Sequence, residues 1–128
     1  MILGIDYGDK RIGLALSEER GPALPWKILD NSSQTRVIEE LKTIVQEQHI
    51  TAIVIGWPLN MQGQVTERTK ITDVFVKAVQ AAIDCEIILE DERWTSKVVD
   101  RAGITGPIDD KSAGHILQSY IDRSHVVD

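Results

Sequence analysis

The sequence is poor in cysteine, histidine and long apolar runs, and each shortage excludes a kind of chemistry. The one cysteine, Cys85, has no partner for a disulfide or a CxxC metal site, so we interpret it as a small buried residue. The histidines, at positions 49, 115 and 125, lack the spacing of metal ligands. No apolar run approaches the roughly 18 residues that a membrane span needs, and the first residues do not resemble a signal peptide. We therefore expect a cytoplasmic protein with no membrane partner.

Positive charge is also in short supply. The 128 residues include 14 Lys and Arg against 20 Asp and Glu, a formal net charge of −6. Nucleic-acid-binding proteins normally show a basic excess, so this balance argues mildly against such a partner. Carboxylates that hold a metal carry their own negative charge, however, so the local distribution of charge has to decide whether nucleic acid is a partner. The length predicts a single domain over residues 1–128.

Five apolar segments predict β-strands. The first two flank a glycine-containing turn and predict a hairpin, and Pro25 places the third at a sheet edge. The fourth is a continuous β-branched run that ends at Pro58, a pattern typical of a strand buried on both faces. The predicted strands span residues 1–7, 11–17, 23–29, 50–58 and 85–92.

Apolar residues at helical spacing predict helices between and after the later strands. A further short helix is predicted near residues 95–103. The expected apolar faces are Val37, Ile38, Leu41, Ile44 and Val45; then Ile71, Val74, Phe75, Ala78 and Ala82; and finally Ala113, Ile116, Leu117, Tyr120 and Ile121. The order β-β-β-α-β-α-β-α-α predicts an α/β fold, a mixed sheet with helices on both faces.

Acidic residues occur where this fold would gather a ligand. Asp6 ends the first strand, residues 90–92 (EDE) end the last one, and Asp109 and Asp110 open the final helix on its sheet-facing side. A carboxylate directed toward a core costs several kcal/mol unless it is paired or coordinates a metal. A helix cap would explain Asp109 by itself, but acids from three separate elements favour a site for a hard cation.

Basic and amide side chains lie near these acids in the sequence. They are interpreted as contacts to a phosphate backbone or a base, with a solvated helix face and ordinary turn formation as the alternatives. These candidates are Lys10, Arg11, Asn60, Gln62, Arg93, Lys97 and Arg101.

Four segments together resemble one known family. GIDYGDKRIGLALS, VIGWPLNMQGQ, DERWTS and DDKSAGHILQSYID are similar, in this order, to the motifs of the bacterial YqgF/RuvX family. That family belongs to the ribonuclease-H-like superfamily, and its members are described as Holliday junction resolvases or pre-16S rRNA nucleases. The resemblance spans nearly the whole chain and implies a five-stranded mixed sheet, three antiparallel strands followed by parallel ones, flanked by helices.

The resemblance also implies which acids form the site. It assigns Asp6, Glu92 and Asp109, rather than Asp110, as both the catalytic residues and the metal ligands. The implied cofactor is Mg²⁺ or Mn²⁺, with two ions when substrate is bound. The implied reaction is metal-dependent hydrolysis of phosphodiester bonds.

Several functions remain open at this stage. Processing of the 5′ end of pre-16S ribosomal RNA is favoured over cleavage of four-way DNA junctions, because no dimer surface is evident; a monomer or a homodimer is expected. A non-catalytic nucleic-acid-binding module is a further alternative, since the segment before Asp109 is shorter and less basic than in many family members. The first hairpin also resembles the phosphate-binding hairpin of the actin and sugar-kinase superfamily, but the chain has no second hairpin of that kind.

Overall fold

The computed structural model describes residues 1–91 and 108–125, with the side chains of 1–91 and 111–124. The elements are β1 Ile2–Tyr7, β2 Arg11–Ser17, β3 Leu24–Asp30, α1 Gln34–Glu47, β4 Ala52–Trp57, α2 Glu67–Ala82, β5 Glu86–Asp91 and α3 Ile108–His125. The strands form one five-stranded sheet in the order β3-β2-β1-β4-β5. The short helix predicted near residues 95–103 lies outside the described residues.

The predicted mixed sheet is confirmed. β1 pairs antiparallel with β2 and β2 antiparallel with β3, whereas β4 pairs parallel with both β1 and β5. β3 is an edge strand, as Pro25 indicated, because proline cannot donate a backbone hydrogen bond to a further neighbour. The β2–β3 register shifts between Leu14 and Ala15, whose partners are Lys27 and Pro25, so Trp26 is an extra residue in β3.

Helix α1 covers one face of the sheet, as predicted. The Ser33 side chain accepts a hydrogen bond from the Arg36 backbone N–H at the helix start. Val37, Leu41 and Ile44 are buried on its inner side. They share one apolar cluster with residues of β1, β2 and β4.

Helix α2 packs on the same face, but not with all of the predicted residues. Phe75 is buried, whereas Ile71 and Val74 are 44% and 62% exposed, so this part of the prediction was wrong. Thr69 and Thr72 occupy the inner side instead. Their hydroxyl groups donate to backbone carbonyls, which removes the cost of burying them.

Helix α3 covers the opposite face, where the predicted apolar residues meet the sheet. Ala113, Ile116, Leu117 and Ile121 are buried, and Tyr120 packs against them. The contact is close at Gly4 in β1. A Cβ built there would lie 2.8 Å from the Leu117 Cβ and 3.1 Å from the Ala113 carbonyl oxygen. Glycine at this position therefore allows α3 to approach the backbone of β1.

Candidate active site

The carboxyl ends of the three parallel strands lie at one edge of the sheet. Ile5 of β1 pairs with Ile55 of β4, and Ile55 pairs with Leu89 of β5. Asp6, which follows Ile5, is therefore at the edge where β4 and β5 also end. Loops at the carboxyl ends of parallel strands are the usual place for ligands in open α/β sheets.

The Asp6 side chain projects from the face covered by α3. Successive side chains of a strand alternate between faces, and Ile2 and Gly4 both contact α3. Asp6 is half-buried and pairs with Gly13 of β2. The carboxylate that the sequence singled out thus lies on the α3 face of the sheet, near the carboxyl end of β1.

The turn that follows Asp6 is held from the other face of the sheet. The Arg68 guanidinium donates to the Tyr7 carbonyl oxygen at 2.7 Å and to the Asp9 carboxylate at 2.9 Å. The Tyr7 ring stacks on Phe75, with 4.3 Å between ring centroids. Two groups of α2 therefore fix the residue next to Asp6.

The loop between β4 and α2 is organised by Asn60. The Asn60 Oδ1 accepts hydrogen bonds from the backbone N–H groups of Gln62 and Gln64, at 3.0 and 2.9 Å, and its Nδ2 donates to the Gln64 side chain at 3.1 Å. Gly63 adopts a φ of 77°, which favours glycine at that point of the turn. The Asn60 carboxamide holds the loop, whereas the Gln62 side chain is exposed.

One acid of the EDE segment has a structural partner that the sequence analysis missed. Glu90 is 5% exposed, and its carboxylate accepts hydrogen bonds from the Ser119 hydroxyl at 3.0 Å and from Arg123. The hydrogen bond and the charge of Glu90 raise the pKa of Arg123. The sequence does contain a signal for this contact. Side chains alternate between the two faces along β5, so Glu90 lies on the same face as Ile88, which packs against α3.

The remaining predicted site residues are only partly described. Lys10 and Arg11 are exposed in and after the turn that follows β1. Asp109 lies in the first turn of α3, with its side chain outside the described part. Glu92, Arg93, Lys97 and Arg101 also lie outside it. Among the residues that the structure describes, no group of three or more His, Cys, Asp or Glu side chains is placed to hold a metal ion.

The fold and this edge define a class of protein. The structure is similar to Thermus thermophilus RuvC in complex with a Holliday junction substrate, with a TM-score of 0.60 and 14% sequence identity, over 97% of this chain and 95% of that one. A second structure of Thermus thermophilus RuvC gives a TM-score of 0.52, over 96% of this chain and 95% of that one. The architecture is thus the ribonuclease-H-like fold of RuvC.

Sequence comparison identifies the family. The model of the RuvX family, described as Holliday junction resolvase, matches residues 1–123, and the chain belongs to this family. A protein of Ruminiclostridium cellulolyticum named "Putative pre-16S rRNA nuclease" is 38% identical, over 95% of this chain and 94% of that protein. A protein of the same name from Sulfurihydrogenibium is 37% identical, over 95% and 90% of the two chains. The family resemblance inferred from the four motifs is confirmed, and it supports a hydrolase acting on ester bonds of nucleic acids.

In the described part of the chain, the structure has no helix long and apolar enough to cross a membrane.

Proposed function

We propose that this chain is a divalent-metal-dependent endonuclease that hydrolyses phosphodiester bonds during maturation of the 5′ end of pre-16S ribosomal RNA. The observation that carries the proposal is the half-buried Asp6 carboxylate at the carboxyl end of β1, in a chain whose relatives are named as nucleases. RNA is favoured over DNA because similar proteins from bacteria of two different genera carry the pre-16S rRNA name.

The proposed site consists of Asp6, Glu92 and Asp109. Two features of the fold support this set. In the sequence, Glu92 lies two positions after Glu90, which belongs to β5. The Glu90 side chain is directed to the α3 face of the sheet, and the Asp6 side chain projects from the same face. Asp109 precedes Ala113 by one helical turn, and the Ala113 carbonyl lies above Gly4, two residues before Asp6.

The donor chemistry of this set fits a hard divalent cation. Carboxylate oxygens are the ligands that Mg²⁺ and Mn²⁺ take in proteins, and the resemblance to the family motifs implies three of them here. The buried Glu90 accepts hydrogen bonds from Ser119 and Arg123 and is not proposed as a ligand. We propose Mg²⁺ or Mn²⁺ as the cofactor, with two ions when substrate is bound.

The protein groups then have separate tasks. When bound, the cations would lower the pKa of the attacking water and stabilise charge on the leaving oxygen. Asp6 would hold them at the carboxyl end of β1, on the α3 face of the sheet. Lys10 and Arg11, exposed beside that position, would neutralise backbone phosphates, and the exposed Gln62 would donate hydrogen bonds to the nucleic acid.

The other proposed contacts complete the nucleic-acid interface. Asn60 would act mainly through the loop that it organises, because its carboxamide already makes three hydrogen bonds. Arg93, Lys97 and Arg101 recur at a spacing of four residues in the sequence and would supply further phosphate contacts. The chain would bind nucleic acid as a monomer or a homodimer.

A second candidate substrate is four-way DNA. It is favoured by the description of the family model, Holliday junction resolvase, and by the fold shared with RuvC. A resolvase must cut two strands, which requires two sites related by symmetry. The same proposed carboxylates would serve either substrate.

A paired cleavage assay tests the proposal. A precursor 16S leader RNA and a four-way DNA junction are incubated with the protein in Mg²⁺ and then in Mn²⁺, and the products are mapped by gel electrophoresis. We expect metal-dependent cleavage of the RNA leader. Cleavage confined to the junction would replace RNA by DNA as the substrate. Binding without cleavage of either, by protein shown to be folded, would overturn the nuclease proposal in favour of a non-catalytic binding module.

A further inference from the structure

The turn after Asp6 is anchored by a residue of a different element, Arg68 of α2. We propose that Arg68 is a positioning residue for the metal site: by holding the Tyr7 carbonyl, it fixes the end of β1 and with it the Asp6 carboxylate. This inference rests on the proposed function of Asp6 as a metal ligand. Arg68 is not proposed to contact the metal or the substrate.

Tyr7 is held at two points from the same helix. Its carbonyl oxygen accepts a 2.7 Å hydrogen bond from Arg68 Nη2, and its ring stacks on Phe75, two helical turns further along α2. The peptide bond between Asp6 and Tyr7 is planar, so fixing the Tyr7 backbone and ring restricts the Asp6 Cα as well. Because alternate side chains face opposite sides of a strand, Tyr7 packs toward α2 while Asp6 faces α3.

Arg68 is itself well placed to act as an anchor. The Thr66 side chain and the Thr69 side chain form a reciprocal capping box at the start of α2. The Thr69 hydroxyl also donates to the Pro58 carbonyl, directly after β4. The start of α2 is thus attached to the end of β4, and Arg68 extends this attachment to the end of β1. The two neighbouring strand ends are therefore held in a fixed relation.

The two acceptors of Arg68 have different weights in this role. Asp9 is 73% exposed in its side chain, and an exposed ion pair contributes little because water and salt screen it. The Tyr7 carbonyl belongs to the residue next to Asp6, so losing this bond removes one of the two attachments of the strand end to α2 and leaves only the ring stacking on Phe75. A guanidinium fork can reach both acceptors at once, whereas the single ammonium group of lysine replaces this fork only in part.

Four variants distinguish the effect of the Arg68–Tyr7 hydrogen bond from the effect of the Arg68–Asp9 ion pair and from a general loss of α2 stability. Arg68→Met removes both bonds, Arg68→Lys keeps the charge, and Asp9→Asn removes only the ion pair. Lys77→Met is the matched control, because it removes another exposed ion pair of α2, the 3.0 Å contact to Asp73, far from Tyr7 along the helix. Each variant is first checked for folding by circular dichroism and thermal unfolding.

Two readouts are measured on each folded variant. The first is the dissociation constant for Mn²⁺ without substrate, from the electron paramagnetic resonance signal of free Mn²⁺. The second is the Mg²⁺ concentration that gives half-maximal cleavage. Loss of a group that orients metal ligands typically weakens binding about 10–100-fold, so we expect Arg68→Met to raise both values by roughly 10-fold or more. Arg68→Lys should fall between it and the wild type, and Asp9→Asn and Lys77→Met should change either value less than about 3-fold.

The outcomes distinguish this inference from the proposed function. Folded Arg68→Met protein with wild-type Mn²⁺ affinity and Mg²⁺ dependence would overturn the positioning role while leaving the nuclease proposal intact. An equal loss in Asp9→Asn and Arg68→Met would also overturn it, because the ion pair would then explain the effect. If instead Asp6→Asn binds Mn²⁺ as the wild type does, the metal site itself is wrong and the positioning role fails with it.

Discussion

Replacing Gly4 by alanine tests how closely α3 must approach β1. The added methyl would lie 2.8 Å from the Leu117 Cβ and 3.1 Å from the Ala113 carbonyl oxygen, whereas carbon atoms in contact are normally about 3.5–4.0 Å apart. Leu117 is fully buried, so α3 has to move by several tenths of an ångström. Overpacking of this kind costs about 1–3 kcal/mol, and the lower entropy of the unfolded chain returns about 0.4–1 kcal/mol.

We therefore expect Gly4→Ala to lower the free energy of unfolding by about 1–2 kcal/mol and Tm by roughly 3–8 °C. Urea unfolding followed by circular dichroism measures the change. Gly21→Ala is the matched control, since a Cβ there would lie 3.5 Å from the Glu18 Cβ, an ordinary contact, and its stability should equal or slightly exceed that of the wild type. A Gly4→Ala protein as stable as Gly21→Ala would refute the close approach of α3 to β1.

Two further substitutions test contacts near the site. Arg123→Met should destabilise the protein by about 1–3 kcal/mol, because it leaves the buried Glu90 carboxylate without its cation. Urea unfolding measures this loss, and the double variant Glu90→Gln/Arg123→Met should recover part of it. Wild-type stability of the single variant would contradict the pairing. Asn60→Ala should cost about 1 kcal/mol by the same measurement, since three hydrogen bonds of the loop are lost. Gln62→Ala is its control, and an equal loss of stability in both variants would argue against a special role for Asn60.

The sheet could be predicted from the sequence because its signals are local. The β-branched run that ends at Pro58 indicated a buried strand, and Pro25 indicated an edge; both hold in the structure. The inner side of α2 could not be predicted as fully, because hydrophobicity ranks Ile71 and Val74 above threonine. Burial of Thr69 depends on a carbonyl acceptor at Pro58, eleven residues away in the sequence, and no periodic pattern records such a partner.

The candidate site, like the fold, could be predicted only in part from the sequence. The position of Asp6 near the carboxyl end of a buried strand could be predicted, because a strand of apolar residues that ends in a carboxylate is unusual by itself. Its role as a metal ligand stays a prediction. The capture of Glu90 by Arg123 could not, since 33 residues separate the two and the pairing depends on how α3 crosses the sheet. The Arg68 contact to Tyr7, over 61 residues, was missed for the same reason. Contacts between distant segments follow from the packing of elements, which the sequence pattern describes only coarsely.

Cleavage by Asp6→Asn protein is the most direct test of the central claim, that Asp6 holds a catalytic metal. The substitution removes charge with little change in volume, and Asp9→Asn, the same change three residues away, is the control. A metal ion that stabilises the transition state by several kcal/mol increases the cleavage rate by a factor of about 10³ or more. In a single-turnover assay with Mg²⁺, we expect Asp6→Asn to lose at least this factor while Asp9→Asn stays within about 3-fold of the wild type. Wild-type cleavage by folded Asp6→Asn protein would contradict the account.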